Sequence, residues 1–211
     1  MKNLLVHKLA TGVVSTICLL VLTACATLNK DECLNANWQI LGYEDGAKGY
    51  PLSHIALHRK ACAKHGVQPD LNAYSDGHQR GVREFCTPQR GYQRGSQGVH
   101  YLGVCPPDLE PAFLEAYQLG QTVYRLEKEM KDRKRSLKSL YDEVDSIEQT
   151  IVDLKHELVH EGHNPRKRRQ LLRDIRIQED QKAELLDQIN AQENHLDALN
   201  RKLARLEGNR P

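Results

Sequence analysis

The 211-residue chain has no long hydrophobic run, no excess of one charge and no closely spaced cysteine pair. Its most apolar stretch, residues 9–22, is shorter than the roughly 20 residues that a membrane-spanning helix needs. Its 30 Lys and Arg residues nearly balance 28 Asp and Glu residues. This balance argues against nucleic acid as a partner, because backbone binding depends on clustered positive charge. The absence of any Cys-x-x-Cys pair argues against a four-thiolate zinc site.

Glycine and aromatic residues are nearly missing from the C-terminal part of the chain. Beyond residue 120 there are two glycines, and no Phe, Trp or Tyr follows Tyr141. This contrast indicates a compact Cys-, Gly- and Tyr-rich domain over residues 25–111 and a charged helical region over residues 112–207. We therefore expect a mainly α protein, in which a small disulfide-bonded helical domain precedes a long antiparallel coiled-coil hairpin.

The N-terminus has the three parts of a secretory signal. Lys2 and Lys8 supply positive charge, the apolar run follows, and the segment Leu22-Thr23-Ala24-Cys25 ends it with small residues. This segment resembles the lipobox of bacterial lipoproteins. The resemblance implies a signal peptide over residues 1–24, cleavage before Cys25 and acyl chains such as palmitate on that cysteine.

The same resemblance predicts where the protein resides. One acyl chain holds a protein to a membrane only marginally, so we expect several chains on Cys25 and membrane lipid as its first partner. Ala26 follows the cysteine, which by resemblance to lipoprotein sorting indicates the outer membrane of a Gram-negative bacterium, facing the periplasm.

Four cysteines remain besides Cys25 and the one inside the signal. An even number in an oxidising compartment predicts two disulfides, and four cysteines allow three pairings. We favour the two local loops, Cys33–Cys62 and Cys86–Cys105.

Two stretches share a glycine spacing, Gly42-Tyr43-x-x-Gly46-x-x-Gly49 and Gly91-Tyr92-x-x-Gly95-x-x-Gly98. Offsets of three, four and seven residues fall on one helix face, where glycine lets a neighbouring backbone approach closely. We expect such packing for residues 42–49 and 77–81. For residues 91–103 a loop remains an alternative.

Several short segments in this half carry a further resemblance: Asp31–Leu34, Trp38, Gly42–Gly46, His58–Cys62, Cys86–Pro88, Gly103–Pro106 and Phe113–Tyr117. Over roughly residues 25–125, they are similar to bacterial lipoproteins classed under domain of unknown function 2799. The resemblance implies an envelope lipoprotein without an assigned activity, so no catalytic residue can be transferred from it.

The C-terminal region carries two heptad seams. Apolar residues alternate at three and four from Ala116 to Leu158, interrupted only by Arg133. Gly162 and Asn164-Pro165 are typical of a helix stop and start, and a second seam follows up to Leu206. Its polar interruptions are Gln178, Lys182 and Gln192.

The short connection predicts that these helices pair as an antiparallel hairpin. The register expected about the connection places four pairs side by side: Leu154 with Ile175, Val144 with Leu185, Leu137 with Gln192, and Leu126 with Leu203. An intermolecular coiled coil is the alternative, so a homo-oligomer remains possible at this point.

Two groups of histidines raise the question of a metal. His156-Glu157-Leu158-Val159-His160 matches the His-Glu-x-x-His pattern of zinc proteases, and His163 offers a third imidazole. Leu158 belongs to the seam, however, so His156 and His160 should face solvent at the tip of a hairpin that has no cleft. A chance match is therefore favoured, and no metal or other cofactor is predicted.

The other group consists of His54, His58 and His65, in which His54 and His58 are spaced to share a helix face. A polar helix face, or a histidine bonded in a small core, is favoured there over a metal site.

Together these features predict a non-enzymatic envelope lipoprotein of structural or interaction type. Its coiled-coil arm would contact a periplasmic protein or the cell wall, with no nucleic-acid partner. The alternative function is a zinc-dependent hydrolase acting through residues 156–160.

Overall fold

A computed structural model describes residues 28–160, 162–208 and 210–211. The predicted signal peptide and Cys25 therefore lie outside the described residues. The helices are α1 (Lys30–Leu34), α2 (Trp38–Ala47), α3 (Ile55–Ala63), α4 (Leu71–Phe85), α5 (Pro88–Ser96), α6 (Glu110–Leu158) and α7 (Pro165–Glu207), and a 3₁₀ turn, Leu52–His54, precedes α3. No strand occurs within these described ranges, which confirms the mainly α class. None of the described helices is long and apolar enough to cross a membrane.

The chain divides into two compact units. Among the described residues, the N-terminal unit comprises residues 28–85 with Leu102–Val104, and the hairpin unit comprises Cys86–Tyr101 with the described residues from Cys105 onward. The division by contacts lies between Phe85 and Cys86, because α5 packs against the first turns of α6. The composition boundary at residue 111 marks where the charged region begins, which is a different property of the chain.

Glycines allow α2 and α4 to pack with their backbones in contact. A Cβ atom added to Gly42 would lie 2.0 Å from the carbonyl oxygen of Tyr74, and one added to Gly77 would lie 1.9 Å from that of Gln39. Any side chain at these positions would force the helices apart. The packing expected for residues 42–49 and 77–81 is confirmed at Gly42, Gly46, Gly77 and Gly81, whereas Gly49 lies in the turn after α2 with a positive φ angle.

The hairpin unit contains a second contact of the same kind, between α5 and α6. A Cβ atom at Gly91 would lie 2.3 Å from the carbonyl oxygen of Phe113, and one at Gly95 would lie 2.1 Å from that of Tyr117. The loop alternative is therefore wrong for Gly91–Gly95, which are helical. Gly98 and Gly103 have positive φ angles and lie in the segment that follows α5.

Each unit contains one disulfide. Cys33–Cys62 joins α1 to the end of α3, and Cys86–Cys105 joins the start of α5 to the segment before α6. All four cysteines are buried. The pairing favoured from the sequence is the one that the structure contains.

Helices α6 and α7, with 49 and 43 residues, form the predicted antiparallel hairpin. Asn164 caps α7, and its side chain accepts hydrogen bonds from the amides of Arg166 and Lys167. Val144 and Leu185 belong to one buried cluster, and Leu203 packs against another that contains Leu126, as the register required. At about 1.5 Å per residue, α6 is about 70 Å long.

Candidate functional site in the N-terminal unit

A cluster of polar and aromatic side chains lies within the N-terminal unit, formed by three helices and a 3₁₀ turn. Asp45 is on α2, His54 ends the 3₁₀ turn, and His58 is on the first turn of α3. Tyr74 and His78 are on α4. The glycine contact places α2 directly against α4, and the turn at Gly49, with φ of 78°, returns the chain toward α3.

Asp45 is the centre of this cluster. Its Oδ2 atom accepts a hydrogen bond from Nε2 of His58 at 2.7 Å and another from the hydroxyl of Tyr74 at 2.6 Å. Asp45, His58 and Tyr74 are 6%, 5% and 0% exposed. Buried charges are costly unless they are paired, and here two donors converge on the same carboxylate oxygen.

The surroundings keep the Asp45 carboxylate ionised. Burial alone would raise the pKa of Asp45, but the hydrogen bonds from His58 and Tyr74 and the nearby imidazoles hold it below its usual range. Burial and the adjacent carboxylate raise the pKa of Tyr74. At neutral pH, Tyr74 therefore remains a protonated donor and Asp45 a charged acceptor.

Aromatic ring contacts extend from the Asp45–His58 hydrogen bond toward solvent. The rings of Tyr50 and His54 stack with centroids 4.3 Å apart, and the rings of His54 and His58 meet edge to face at 5.4 Å. His78 Nε2 donates to the carbonyl oxygen of Tyr50 at 2.7 Å, which holds the turn in place. Asp45, Tyr50, His54 and His58 line one side of a groove of about 550 Å³, so the cluster is accessible from outside.

Asp45, His54 and His58 are the one group among the described residues in which three such side chains have ligand atoms all within 4.8 Å of one another. The sequence spacing places His54 and His58 on one helix face, where a polar surface or a core histidine was favoured over a metal site. His65, the third histidine considered from the sequence, is not in the group. Asp45 was missed because helix packing, not sequence spacing, brings it there. Its position one residue before Gly46, on the glycine contact face, is the signal that could have placed it near α4.

The His-Glu-x-x-His segment is arranged differently. Helix α6 ends at Leu158, so His160 lies beyond the helix, while His156 and His160 are both exposed. Glu157 forms an ion pair with Lys167 at 2.9 Å. The pattern binds zinc through two histidines on consecutive turns of one helix, and this arrangement is not present. Neither these histidines nor His163 belong to a compact ligand group in the described part of the chain.

The hairpin carries a second candidate feature, an exposed apolar stripe. Val152 on α6 and Ala183 and Leu186 on α7 line a shallow groove beside the seam, and Leu172 lies two heptads before Leu186 on the same flank. Val152, Leu172 and Leu186 are 58%, 54% and 39% exposed. We call these four residues the apolar stripe.

Ion pairs border the groove on this flank. Lys155 Nζ lies 2.8 Å from Glu179 Oε1, and Lys182 pairs with Glu148. The stripe thus consists of apolar side chains next to paired charges, as at the centre and rim of many protein interfaces.

Comparison with known proteins provides one relationship. Residues 37–122 match the family described as "Protein of unknown function (DUF2799)". This stretch includes both glycine contacts, Asp45, His54, His58 and Tyr74, and it ends near the start of the heptad seam. No curated protein and no solved structure matches the chain. The resemblance expected from the sequence is thus confirmed between residues 37 and 122, where the chain matches the DUF2799 family.

Proposed function

We propose that this protein is an outer-membrane lipoprotein that acts by binding rather than by catalysis. The acylated Cys25 holds it in the membrane, and the α6–α7 hairpin contacts a periplasmic protein or the cell wall. The observation that carries this proposal is the apolar stripe. Its side chains lie outside the seam, on a helix pair whose seam residues are already buried against each other.

The seam needs no second copy of the chain to cover it. Two buried clusters fill it, one containing Leu137, Val144, Leu185 and Ile189 and the other Leu126, Met130 and Leu199. A stable hairpin of this kind presents its outer faces to other molecules. Exposed apolar surface next to polar residues is typical of binding sites, which supports the stripe as the contact surface.

The anchor is supported by the lipobox-like sequence, and Cys25 lies only a few residues from the first buried residue of the folded chain. Only Ala26 and the next residue separate Cys25 from Leu28, which is buried against the Cys33–Cys62 disulfide. So short a connection keeps the N-terminal unit close to the membrane surface. Cys25→Ser should release the protein from the membrane fraction, and intact-mass analysis of the natural chain should show fatty acid on its first residue.

Crosslinking in cells tests the binding role. A photoreactive residue at Val152 should capture a specific partner, and the same residue at Thr150, exposed on the opposite flank of α6, should not. Leu186→Glu should abolish capture from position 152, because it places a charge within the apolar stripe. Deletion of residues 125–207 should abolish partner capture by a general chemical crosslinker, which needs no probe within the deleted segment. Equal capture from positions 150 and 152 would contradict the stripe, and unchanged partners after the deletion would contradict the arm.

The alternative of a zinc hydrolase at residues 156–160 has a direct test. If it were correct, Glu157→Gln would abolish a zinc-dependent hydrolytic activity of the purified protein. We expect partner capture to be unaffected by this substitution, since Glu157 lies outside the apolar stripe.

A further inference from the structure

We propose that Asp45, His54 and His58 form a binding site for a divalent transition-metal ion, with Zn²⁺ as the principal candidate. Two imidazoles and one carboxylate are a common ligand set for zinc, in which three protein ligands leave the fourth position open. The site belongs to the N-terminal unit and is independent of the binding function proposed for the hairpin.

Asp45 and His58 are already spaced nearly as zinc ligands are, and His54 is near enough to join them by moving closer. The candidate ligand atoms of the three residues lie within 4.8 Å of one another, and His58 Nε2 and Asp45 Oδ2 are 2.7 Å apart. Ligand atoms on a tetrahedral Zn²⁺ with bonds of about 2.0–2.1 Å are about 3.3 Å apart. Binding therefore replaces the proton shared by His58 and Asp45 with the ion, while these two atoms separate by a fraction of an ångström.

The residues around the three ligands already orient them. Tyr74 donates to Asp45 Oδ2 at 2.6 Å, which is the kind of hydrogen bond that fixes a ligating carboxylate. The Tyr50 ring stacks on His54 with an interplanar angle of 6°, and His78 holds the backbone of Tyr50. Such outer contacts are a general feature of metal sites in proteins.

The second glycine contact shows that the helix pairing does not need this cluster. Gly91 and Gly95 on α5 approach the backbone of α6 as Gly42 and Gly46 approach that of α4. The carbonyl oxygen of Val99 accepts from Tyr117 at 3.0 Å, where that of Tyr50 accepts from His78.

The counterparts of the cluster itself have different chemistry. In the second pair Arg94 precedes Gly95 where Asp45 precedes Gly46, and Phe113 faces Gly91 where Tyr74 faces Gly42. The same helix packing therefore forms without a buried carboxylate and its two donors. The Asp45 cluster is therefore not required for the helices to pack, and metal binding is a role that its side chains can perform.

The groove provides access for the ion and for a fourth ligand. All three residues line it, Asp45 and His58 being buried and His54 only partly buried. A water molecule, or a donor group from another molecule, can occupy the remaining position from this side.

Zinc binding to the full mature chain tests the proposal. Equilibrium dialysis with Zn²⁺ should give one tightly bound ion per chain, and Co²⁺ should give the visible absorption of a tetrahedral nitrogen and oxygen site. His54→Ala should weaken binding at least 100-fold, and Tyr74→Phe about 10–100-fold, because Tyr74 orients the carboxylate. His54 is the chosen ligand because it is partly exposed, so its loss should leave the fold intact by circular dichroism.

Two control variants separate this site from adventitious binding. His65→Ala removes a nearby imidazole outside the group, and the pair His156→Ala with His160→Ala removes the histidines at the hairpin tip. Both should bind zinc as the natural chain does. Zinc binding that survives His54→Ala in a folded protein, binding lost in the tip variant, or weak binding without defined stoichiometry would each overturn the proposal.

Discussion

At the scale of single residues, the glycines of the α2–α4 contact are the least replaceable positions in the N-terminal unit. A methyl group on Gly77 would meet backbone atoms of α2, namely the carbonyl oxygen of Gln39 at 1.9 Å and the amide nitrogen of Tyr43 at 2.9 Å. Backbone atoms cannot turn aside as a flexible side chain can, so the two helices must separate.

We therefore expect Gly77→Ala to lower the free energy of unfolding by about 3 kcal/mol or more, measured by urea denaturation. Gly208→Ala is the matched control, because its nearest neighbours would be 3.6 and 3.8 Å away. It should change stability by no more than about 0.5 kcal/mol. A mild effect at Gly77 would mean that the helices are not in backbone contact.

The hydroxyl of Tyr74 allows a second prediction at this scale. Tyr74→Phe keeps the buried ring but removes one of the two donors to the Asp45 carboxylate. Hydrogen bonds to charged groups contribute about 1.5–3 kcal/mol, so we expect a loss of that size in thermal or urea unfolding. Tyr43→Phe, at a side chain that is 42% exposed, should be nearly neutral. Equal effects at both positions would argue against the buried network.

At the scale of elements, the hairpin shows how polar residues fit into a coiled-coil seam. Arg133, the interruption on α6, donates from Nη1 to Oε1 of Gln192 on α7 at 2.7 Å. Glu129 accepts from Arg133 at 3.2 and 3.3 Å and from His195 at 3.3 Å. The interruption of the α6 seam thus faces one of the three in the α7 seam, and such a polar layer favours one register over others.

Replacing both residues of the Arg133–Gln192 pair should raise the stability of the hairpin and weaken its preference for one register and one partner. Arg133→Leu together with Gln192→Leu should raise the free energy of unfolding by about 1 kcal/mol or more, since an apolar pair replaces a partly buried polar one. Gln192→Leu alone should lower it by about 1–2 kcal/mol, because the Nη1 group of Arg133 loses its acceptor on α7.

Urea unfolding would measure these changes, and sedimentation should reveal self-association of the double variant. Arg135→Leu is the control, because the Arg135–Asp132 ion pair lies at the surface and should contribute no more than about 1 kcal/mol. Additive effects of the two seam substitutions would show that Arg133 and Gln192 are not coupled.

Elements also show what could be predicted from sequence alone. The heptad seams gave the correct pairing of Val144 with Leu185, because a period of 3.5 residues identifies the buried face of a helix directly. Glycine offsets identified the contact face of α2 for the same reason. The glycine offsets do not identify the partner helix, which is why the pairing of α5 with α6, and with it the division at Phe85, emerged only from the structure.

The Asp45 cluster shows the same limit for a site. Nothing in the spacing of Asp45, His58 and Tyr74 relates them, since 13 and 29 residues separate Asp45 from its two donors. Their meeting depends on three helices that first have to pack. Local patterns in this chain therefore predict faces and ends of helices, and long-range packing decides which side chains share a site.

At the scale of the whole molecule, the hairpin should tolerate shortening if both helices lose matched heptads. Deleting residues 141–154 together with 175–188 removes two heptads from each helix and keeps the seam and the Arg133–Gln192 contact in phase. We expect this variant to fold as a monomer with a cooperative transition, measured by circular dichroism and sedimentation.

Deleting residues 141–154 alone is the control. It leaves part of the α7 seam without a partner, so we expect self-association or loss of helix. Similar behaviour of the single and the matched deletion would contradict a seam closed within one chain. The matched deletion also removes Val152 and Leu186, so it provides a folded protein without most of the apolar stripe, which a general chemical crosslinker can test for partner capture.

The two glycine contacts have a consequence for how the chain can be altered. In the first pair the turn glycine Gly49 lies against the ring of Phe85, and in the second Gly98 lies against the ring of Tyr124. Each pair therefore combines backbone contact along one helix face with a glycine turn closed by an aromatic ring. A side chain at either turn glycine would meet both a positive φ angle and that ring, so the two turns should be as intolerant of substitution as the helix faces themselves.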